Sequence, residues 1–349
     1  MRKRMKLCCD DKEIYPKIHE NEQLSVLITG RSRMGKTYFA SYLGGELIDQ
    51  GETVHLIDLG DKWSAADKSR LLSAGAVKKQ VDEEGMGLTF NSVREACGCG
   101  RIIANALGFR SAGAIMVLKR SISQLLARHE QRFTFSELME YLGSSDEELA
   151  EDREWQLKIW ERLDSVGEIP NIVFCLNEDN DFSTGSVIWD LSGLDDTYVQ
   201  VLAYLISFCL LCQQKRKFRN GDTSQKMFVM IDEFQVLDCN RRSIIGICLT
   251  EGQKYGMAFI LITQFLNGNF NEAVVQQFKQ GGFRFYFRLT EEEAAAVSRE
   301  MTRSGRKRDI LYKKLSTLPR GYCLMLGPHY IEGNDRVTEA YRFVEIRDE

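Results

Sequence analysis

The sequence is poor in proline, in long apolar runs and in net positive charge. Only 4 of the 349 residues are proline, so extended Pro-rich linkers are not expected. The longest apolar stretch, residues 201–212, is too short to cross a bilayer, and we expect no transmembrane segment. The formal net charge is −4, which excludes a globally basic protein. Any contact with nucleic acid must therefore come from a local patch or from a channel formed by several subunits.

A signal peptide is also not evident, because residues 1–6 are charged and no apolar run follows them. We therefore expect a cytoplasmic protein whose ten cysteines are free thiols. Cys209 and Cys212 have the spacing of half a zinc site. They lie in an apolar helical pattern without a second pair, which favours a role in the core over zinc binding.

A glycine-containing loop follows the first apolar run of strand length, residues 24–29. The loop is Gly30-Arg31-Ser32-Arg33-Met34-Gly35-Lys36-Thr37, which matches the pattern G-x-x-x-x-G-K-[ST] in full. In this pattern, backbone N–H groups and a helix N-terminus hold phosphate oxygens. Lys36 is predicted to neutralise the β- and γ-phosphates, and Thr37 is predicted to bind Mg²⁺. The loop predicts ATP and Mg²⁺ as cofactors.

Polar residues at the ends of two later apolar strands complete the predicted site. Residues 226–231 lead into Asp232, a predicted ligand in the Mg²⁺ sphere, and Glu233, predicted to orient and deprotonate the attacking water. Residues 257–263 lead into Gln264, whose amide is predicted to sense the γ-phosphate. The alternative for each is a polar residue that simply ends a strand in solvent.

Alternating strand and helix patterns predict an α/β fold with a mostly parallel sheet and helices on both faces. Residues 1–23 read as a short N-terminal arm, and residues 24–90 as the first part of the core. A helical insertion is predicted at 91–167, where the sequence Thr134 to Glu137 is a capping box. The remainder of the core and the C-terminal strands follow at 168–349.

Taken together, these motifs resemble the HerA–FtsK superfamily of DNA-pumping ATPases. The resemblance rests on the loop 30–37, residues 54–58, residues 231–233, the block 251–256 and residues 262–264. Residues 186–194 and 318–324 are similar to the motor domains of conjugation and type IV secretion ATPases. This resemblance implies a RecA-like core that assembles as a hexameric ring around DNA, with ATP at the subunit interfaces.

The resemblance also implies a cation from a neighbouring subunit. HerA-like members usually read Glu-Gly-Arg-Lys where this chain has Glu-Gly-Gln253-Lys254, so Lys254 is the candidate and Arg284 or Arg288 are substitutes. A plain solvated charge is the alternative for Lys254. The short segment before the motor further implies a separate targeting or effector protein.

Two basic clusters are candidate contacts with DNA phosphates. Residues 215–219 end a helix, where the helix dipole already explains cations. Arg303, Arg306, Lys307 and Arg308 are placed in a predicted loop.

The leading functional prediction is a ring-forming ATPase that translocates double-stranded DNA, of the helicase or translocase type. One alternative is an ATPase scaffold that licenses a partner effector, such as a nuclease or NADase in antiviral defence. The other is an energiser of a type IV secretion-like export channel.

Overall fold

The computed structural model describes residues 5–18, 25–60, 62–144, 153–165, 170–176, 185–222, 224–240, 243–265, 278 and 282–348. The strands are β1 (Met5–Cys9), β2 (Lys12–Pro16), β3 (Val26–Thr29), β4 (Thr53–Asp58), β5 (Val77–Gln80), β6 (Met86–Phe90), β7 (Arg132–Thr134), β8 (Ile172–Leu176), β9 (Val187–Asp190), β10 (Met227–Ile231), β11 (Met257–Thr263), β12 (Phe283–Tyr286), β13 (Tyr322–Leu326), β14 (His329–Ile331), β15 (Asn334–Thr338) and β16 (Arg342–Asp348). The α-helices are α1 (Lys36–Asp49), α2 (Ala65–Ser73), α3 (Val81–Glu84), α4 (Val93–Ala106), α5 (Ala112–Arg128), α6 (Phe135–Gly143), α7 (Arg153–Asp164), α8 (Asp196–Arg219), α9 (Ile244–Glu251), α10 (Glu291–Met301) and α11 (Gly305–Thr317). Short 3₁₀ helices lie at Phe234–Val236 and Gly252–Tyr255.

Thirteen of the described strands form one sheet, in the order β15-β14-β2-β1-β16-β13-β12-β3-β11-β10-β4-β9-β5. The seven strands from β12 to β5 run parallel to one another. From β12 outward to β15 the pairs are antiparallel. A second, three-stranded sheet has the order β6-β8-β7. The predicted α/β class with a large parallel sheet is confirmed.

The central strands are apolar along their whole length because both faces of the sheet are covered. In β10, Met227, Val229 and Ile231 pack into a core shared with α8, whereas Phe228 and Met230 pack into a core shared with α1. This alternation follows from the two-residue period of a strand. Helices therefore lie on both faces, as the sequence predicts.

Two regions differ from their expected secondary structure. Residues 1–23, expected as an arm, include β1 and β2, a hairpin inside the main sheet whose Leu7 lies opposite Ile346 of β16. The region 91–167, expected to be helical, also contains β7, which pairs with β8. All three strands are short, and each pairs with a strand far away in the sequence (β16, β14 and β8), so local periodicity gives little signal for them. The domain boundaries after residues 23, 90 and 167 stay proposals.

Other elements lie at or near their predicted positions. The strands that precede Asp232 and Gln264 end at Ile231 and Thr263, where the sequence predicts. The capping box of α6 is present, with Glu137 N–H donating to Thr134 Oγ1 over 3.2 Å. The tract around Arg306, predicted as a loop, begins helix α11.

Helix α8 is long and apolar enough to be a candidate membrane span, although 78% of its most apolar window is buried inside the fold. That degree of burial is what a core helix shows. Cys209 and Cys212 are both buried on this helix as free thiols. Burial raises the pKa of Cys212 to about 12, so the thiol stays protonated.

A buried group of charges ties α2 to the carboxyl ends of β4 and β9. Lys68 Nζ lies 2.6 Å from Asp58 Oδ2 and 2.8 Å from Asp190 Oδ2. Lys78 Nζ lies 3.0 Å from Asp190 Oδ2 on the more exposed side. Burial raises the pKa of Asp58, and the bonds from Lys68 only partly offset this. For Asp190, burial is outweighed by hydrogen bonds from Lys68 and Ser192, so its pKa lies below the ordinary value.

We expect Lys68→Met to lower the free energy of unfolding by about 3–5 kcal/mol, because it leaves two buried carboxylates without their shared cation. Urea denaturation at neutral pH measures the change. Lys78→Met is the matched control, and we expect it to cost about 1 kcal/mol or less because its side chain is 38% exposed. Equal losses in the two variants would contradict this account of the cluster.

Candidate functional site

The predicted site residues other than Lys254 lie at the edge of the sheet where the parallel strands end. Strand β11 lies between β3 and β10, with Thr263 opposite Thr29 and Leu261 opposite Ile231. Gly30, Asp232 and Gln264 are the first residues after β3, β10 and β11, respectively. The sheet therefore brings together stretches that are far apart in the sequence.

At two positions of the loop 30–37, the backbone conformation favours glycine. Gly30 has φ +142°, and a Cβ there would lie 2.7 Å from the Cβ of Phe287. Gly35 has φ +98° and caps the N-terminus of α1. The loop is tied to the chain after β12 by Arg31 N–H, which donates to Arg288 O over 2.8 Å. Arg31, Ser32 and Arg33 are exposed on this loop, whereas Met34 is buried in the core.

Lys36 is 7% exposed, and its Nζ donates to the carbonyl oxygen of Arg31 over 3.0 Å. Burial lowers the pKa of Lys36, while Asp232 and Glu233 act in the opposite direction. A buried lysine curled under its own loop is favourably placed to exchange that carbonyl for an anionic ligand, since the anion would restore its charge balance.

Thr37 and Asp232 join α1 to the end of β10. Thr37 Oγ1 donates to Asp232 Oδ2 over 2.8 Å, and Glu233 N–H donates to Asp232 Oδ1 over 2.8 Å. Asp232 is 4% exposed, and burial raises its pKa to about 6. The hydroxyl and carboxylate oxygens are hard ligands that suit Mg²⁺, and these two residues are the ones that could hold the ion.

Glu233 has the left-handed backbone conformation, with φ +53°, which turns the chain sharply at the end of β10. One carboxylate oxygen accepts a hydrogen bond from Gln264 Nε2, and the other accepts one from Gln235 Nε2. Gln264 Oε1 in turn accepts from Ser32 Oγ over 2.5 Å. Gln264 thus bridges the loop 30–37 and the predicted catalytic base.

Gln235 is the site residue that sequence reasoning missed. It lies in the 3₁₀ helix after Glu233, where its Oε1 accepts from Thr263 Oγ1 over 2.7 Å. The sequence shows only that Gln235 lies two residues after Glu233. The contact between them becomes apparent only in the structure, where the tight turn folds the Gln235 side chain back.

Lys254 is not brought to this site within one chain. It is exposed in the 3₁₀ helix Gly252–Tyr255, which precedes β11 and so lies at the opposite edge of the sheet. The seven residues of β11 span about 20 Å at ~3.3 Å per residue. Gln253 is also held at that far edge, where its Nε2 donates to Ser25 Oγ over 3.1 Å.

Arg284 and Arg288, the two substitute arginines, each have a partner within their own chain. Arg284 forms an ion pair with Glu300, with Nη1 and Oε1 2.8 Å apart. Arg288 lies beside its own loop, because its carbonyl accepts from Arg31, and its Nε donates to Leu318 O over 2.6 Å. Arg288 is therefore near the site of its own chain.

The two basic clusters differ in their surroundings. At the end of α8, Lys215 pairs with Glu251 over 3.3 Å, and Arg216 donates to Asn91 over 2.8 Å. At the tip of the α10–α11 hairpin, residues 303–310 are all exposed. They include Arg303, Arg306, Lys307 and Arg308, for which no ion pair is found among the described residues. Arg306, Lys307 and Arg308 lie in the first turn of α11, where the helix dipole disfavours cations.

We expect the stability of the protein without nucleotide or divalent ions to reflect the raised pKa of Asp232. Because the folded-state pKa is about 6 and the ordinary value is 3.8, the native state holds the proton more tightly, and stability falls as pH rises through this window. Asp232→Asn should therefore gain about 1–2 kcal/mol relative to wild type between pH 5 and pH 7.5, measured by urea denaturation. Asp309→Asn, an exposed carboxylate, is the control. A gain that is the same at both pH values would contradict the assignment.

No protein-family model and no curated protein matches this chain. Among solved structures, VirB4 of Thermoanaerobacter pseudethanolicus is similar, with a TM-score of 0.62 and 15% identity over 93% of this chain and 90% of that chain. The plasmid coupling protein TrwB, in complex with a non-hydrolysable GTP analogue, gives a TM-score of 0.60 and 12% identity over 94% of this chain and 86% of that chain. TrwB in complex with ADP and Mg²⁺ gives 0.59 at 12% identity over 94% and 86%. The chain therefore has the RecA-like P-loop fold of VirB4 and TrwB, in agreement with the resemblance drawn from its motifs.

Proposed function

We propose that this chain is a Mg²⁺-dependent ATPase of the HerA–FtsK type. The observation that carries the proposal is the meeting of Lys36, Thr37, Asp232, Glu233 and Gln264 at one edge of the sheet. TrwB, which shares the fold, has been solved with a non-hydrolysable ATP analogue and with ADP and Mg²⁺. The same cofactors fit the donor set of this site, which combines a buried lysine with a hydroxyl and a carboxylate.

Each residue has a distinct task in this proposal. The backbone of the loop 30–37 surrounds the phosphates, and Lys36 neutralises charge on the transferring group. Thr37 and Asp232 would hold Mg²⁺, which would offset the negative charge of the phosphates. Glu233 orients the attacking water and accepts its proton. Gln264, bonded to both Glu233 and the loop, reports the presence of the γ-phosphate.

We further propose that double-stranded DNA is the substrate of the motor. TrwB is described as a bacterial conjugative coupling protein, and it shares the fold of this chain. The tip of the α10–α11 hairpin supplies four exposed cations on a chain whose net charge is −4. Phosphate backbones are recognised by such local patches without reading the base sequence.

We also propose self-association, which the position of Lys254 supports. Because this lysine lies about 20 Å from the site in its own chain, only a second copy brings it to a bound nucleotide (~3.3 Å per residue of β11). A closed ring, with six subunits as in our sequence-based expectation, satisfies every site in this way. A cytoplasmic motor docked on an export channel is compatible with this arrangement. The effector-licensing alternative gains no support from the site or from the comparisons, and we do not propose it.

Hydrolysis is tested with two variants of the site. Lys36→Ala should lose ATP binding, because the buried cation that offsets phosphate charge is gone. Glu233→Gln should bind ATP normally but hydrolyse it at least about 100-fold more slowly, because the base is lost. Isothermal titration and phosphate release measure these effects, with Glu83→Gln, an exposed carboxylate, as the control. Wild-type turnover by Glu233→Gln would refute the assignment of the base.

Binding of DNA is tested by neutralising the hairpin tip. The triple variant Arg306→Gln, Lys307→Gln and Arg308→Gln should weaken duplex binding and reduce the slope of log K against log salt by roughly 2–3. Fluorescence anisotropy at several salt concentrations measures the slope. The matched control is Lys215→Gln, Lys217→Gln and Arg219→Gln, which removes the same charge from the end of α8. If the control lost affinity and the tip variant did not, the tip would not be the contact.

A further inference from the structure

Gln235 and Thr263 form a support for Glu233 that no sequence motif indicates. Gln235 Nε2 donates to one oxygen of the Glu233 carboxylate, and Gln235 Oε1 accepts from Thr263 Oγ1 over 2.7 Å. Thr263 is fully buried at the last position of β11. Its Oγ1 also accepts from Phe265 N–H over 3.2 Å. The support therefore runs from the rigid end of a central strand to the proposed base.

The Glu233 carboxylate determines how the Gln235 amide is oriented. An ionised carboxylate only accepts hydrogen bonds, so the nitrogen of the Gln235 amide must face it. The amide oxygen then faces the other way, where the Thr263 hydroxyl is the donor within reach. The Thr263 proton has a second acceptor in Phe265 O at 3.0 Å, but the contact with Gln235 is the shorter one.

The second amide on Glu233 has a different attachment. Gln264 Nε2 donates to the other carboxylate oxygen, but its Oε1 is bonded to Ser32, which lies on the exposed loop 30–37. Any rearrangement of that loop around phosphate moves the partner of Gln264. Among the described residues, the Gln235 side chain bonds only Glu233 and Thr263 of β11, so its bond to Glu233 does not depend on the state of the loop.

We propose that Gln235 is a positioning residue that holds the Glu233 carboxylate in the orientation needed for proton abstraction, and that Thr263 fixes the Gln235 amide. This inference rests on the proposed ATPase function. It assigns Gln235 no contact with nucleotide. Glu233 needs such a support because it is only half-buried and lies on a tight turn in the left-handed conformation. Small displacements of a catalytic group have large effects on rate.

The test replaces the amide while keeping the length of the side chain. Gln235→Met should lower kcat on the order of 10- to 100-fold and leave the affinity for ATP unchanged. Thr263→Val should also lower kcat. Thr263→Ser keeps the hydroxyl and should retain most of the wild-type kcat. Urea denaturation of each variant establishes that it is folded.

A double-mutant cycle separates positioning from a general structural role. If Gln235 acts through Glu233, then Gln235→Met should cause no further loss of rate in the Glu233→Gln background. A further loss of the same size in that background would overturn the proposal, as would an unchanged kcat in Gln235→Met. Failure of the ATPase proposal looks different, because wild type and Glu233→Gln would then have equal turnover or none.

Discussion

The hydrogen bond between Thr37 and Asp232 is the contact on which the proposed site depends. It joins the first turn of α1 to the end of β10 at a distance of 2.8 Å, across 195 residues of sequence. Both residues are the proposed Mg²⁺ ligands, so a bound ion would take the place of this hydrogen bond. The Thr37 hydroxyl would then give its oxygen to the ion instead of its proton to the carboxylate.

Burial gives this site its electrostatic character. Burial lowers the pKa of Lys36 and raises that of Asp232, so both groups are less favourable in their charged forms than in water. A magnesium–triphosphate would bring anionic oxygens to the lysine and a cation to the aspartate. In the proposed function, binding of this ligand would offset the cost of burying both charged groups.

In the proposed assembly, the positions of the cations give each of them a different role. Lys36 serves its own site, Arg288 is held beside its own loop, and Lys254 lies at the far edge of the sheet. The tip of the α10–α11 hairpin places cations at a helix N-terminus, where the dipole disfavours them. In the proposed assembly, the cations at the hairpin tip would contact DNA phosphates, and Lys254 would contact the nucleotide of a neighbouring copy.

The sequence by itself determined the loop 30–37, the long apolar strands and the acids that follow one of them. The loop is a local motif, and the strands are continuous apolar runs. It missed the β1–β2 hairpin and β7, because short strands obtain their stability from partners far away in the chain. It also placed Arg306 in a loop and overlooked Gln235. Only the tertiary structure decided that Gln235 contacts Glu233 and that Lys254 does not reach Lys36. Such contacts depend on strand order and on the direction of each strand, and neither is encoded in the spacing of residues along the chain.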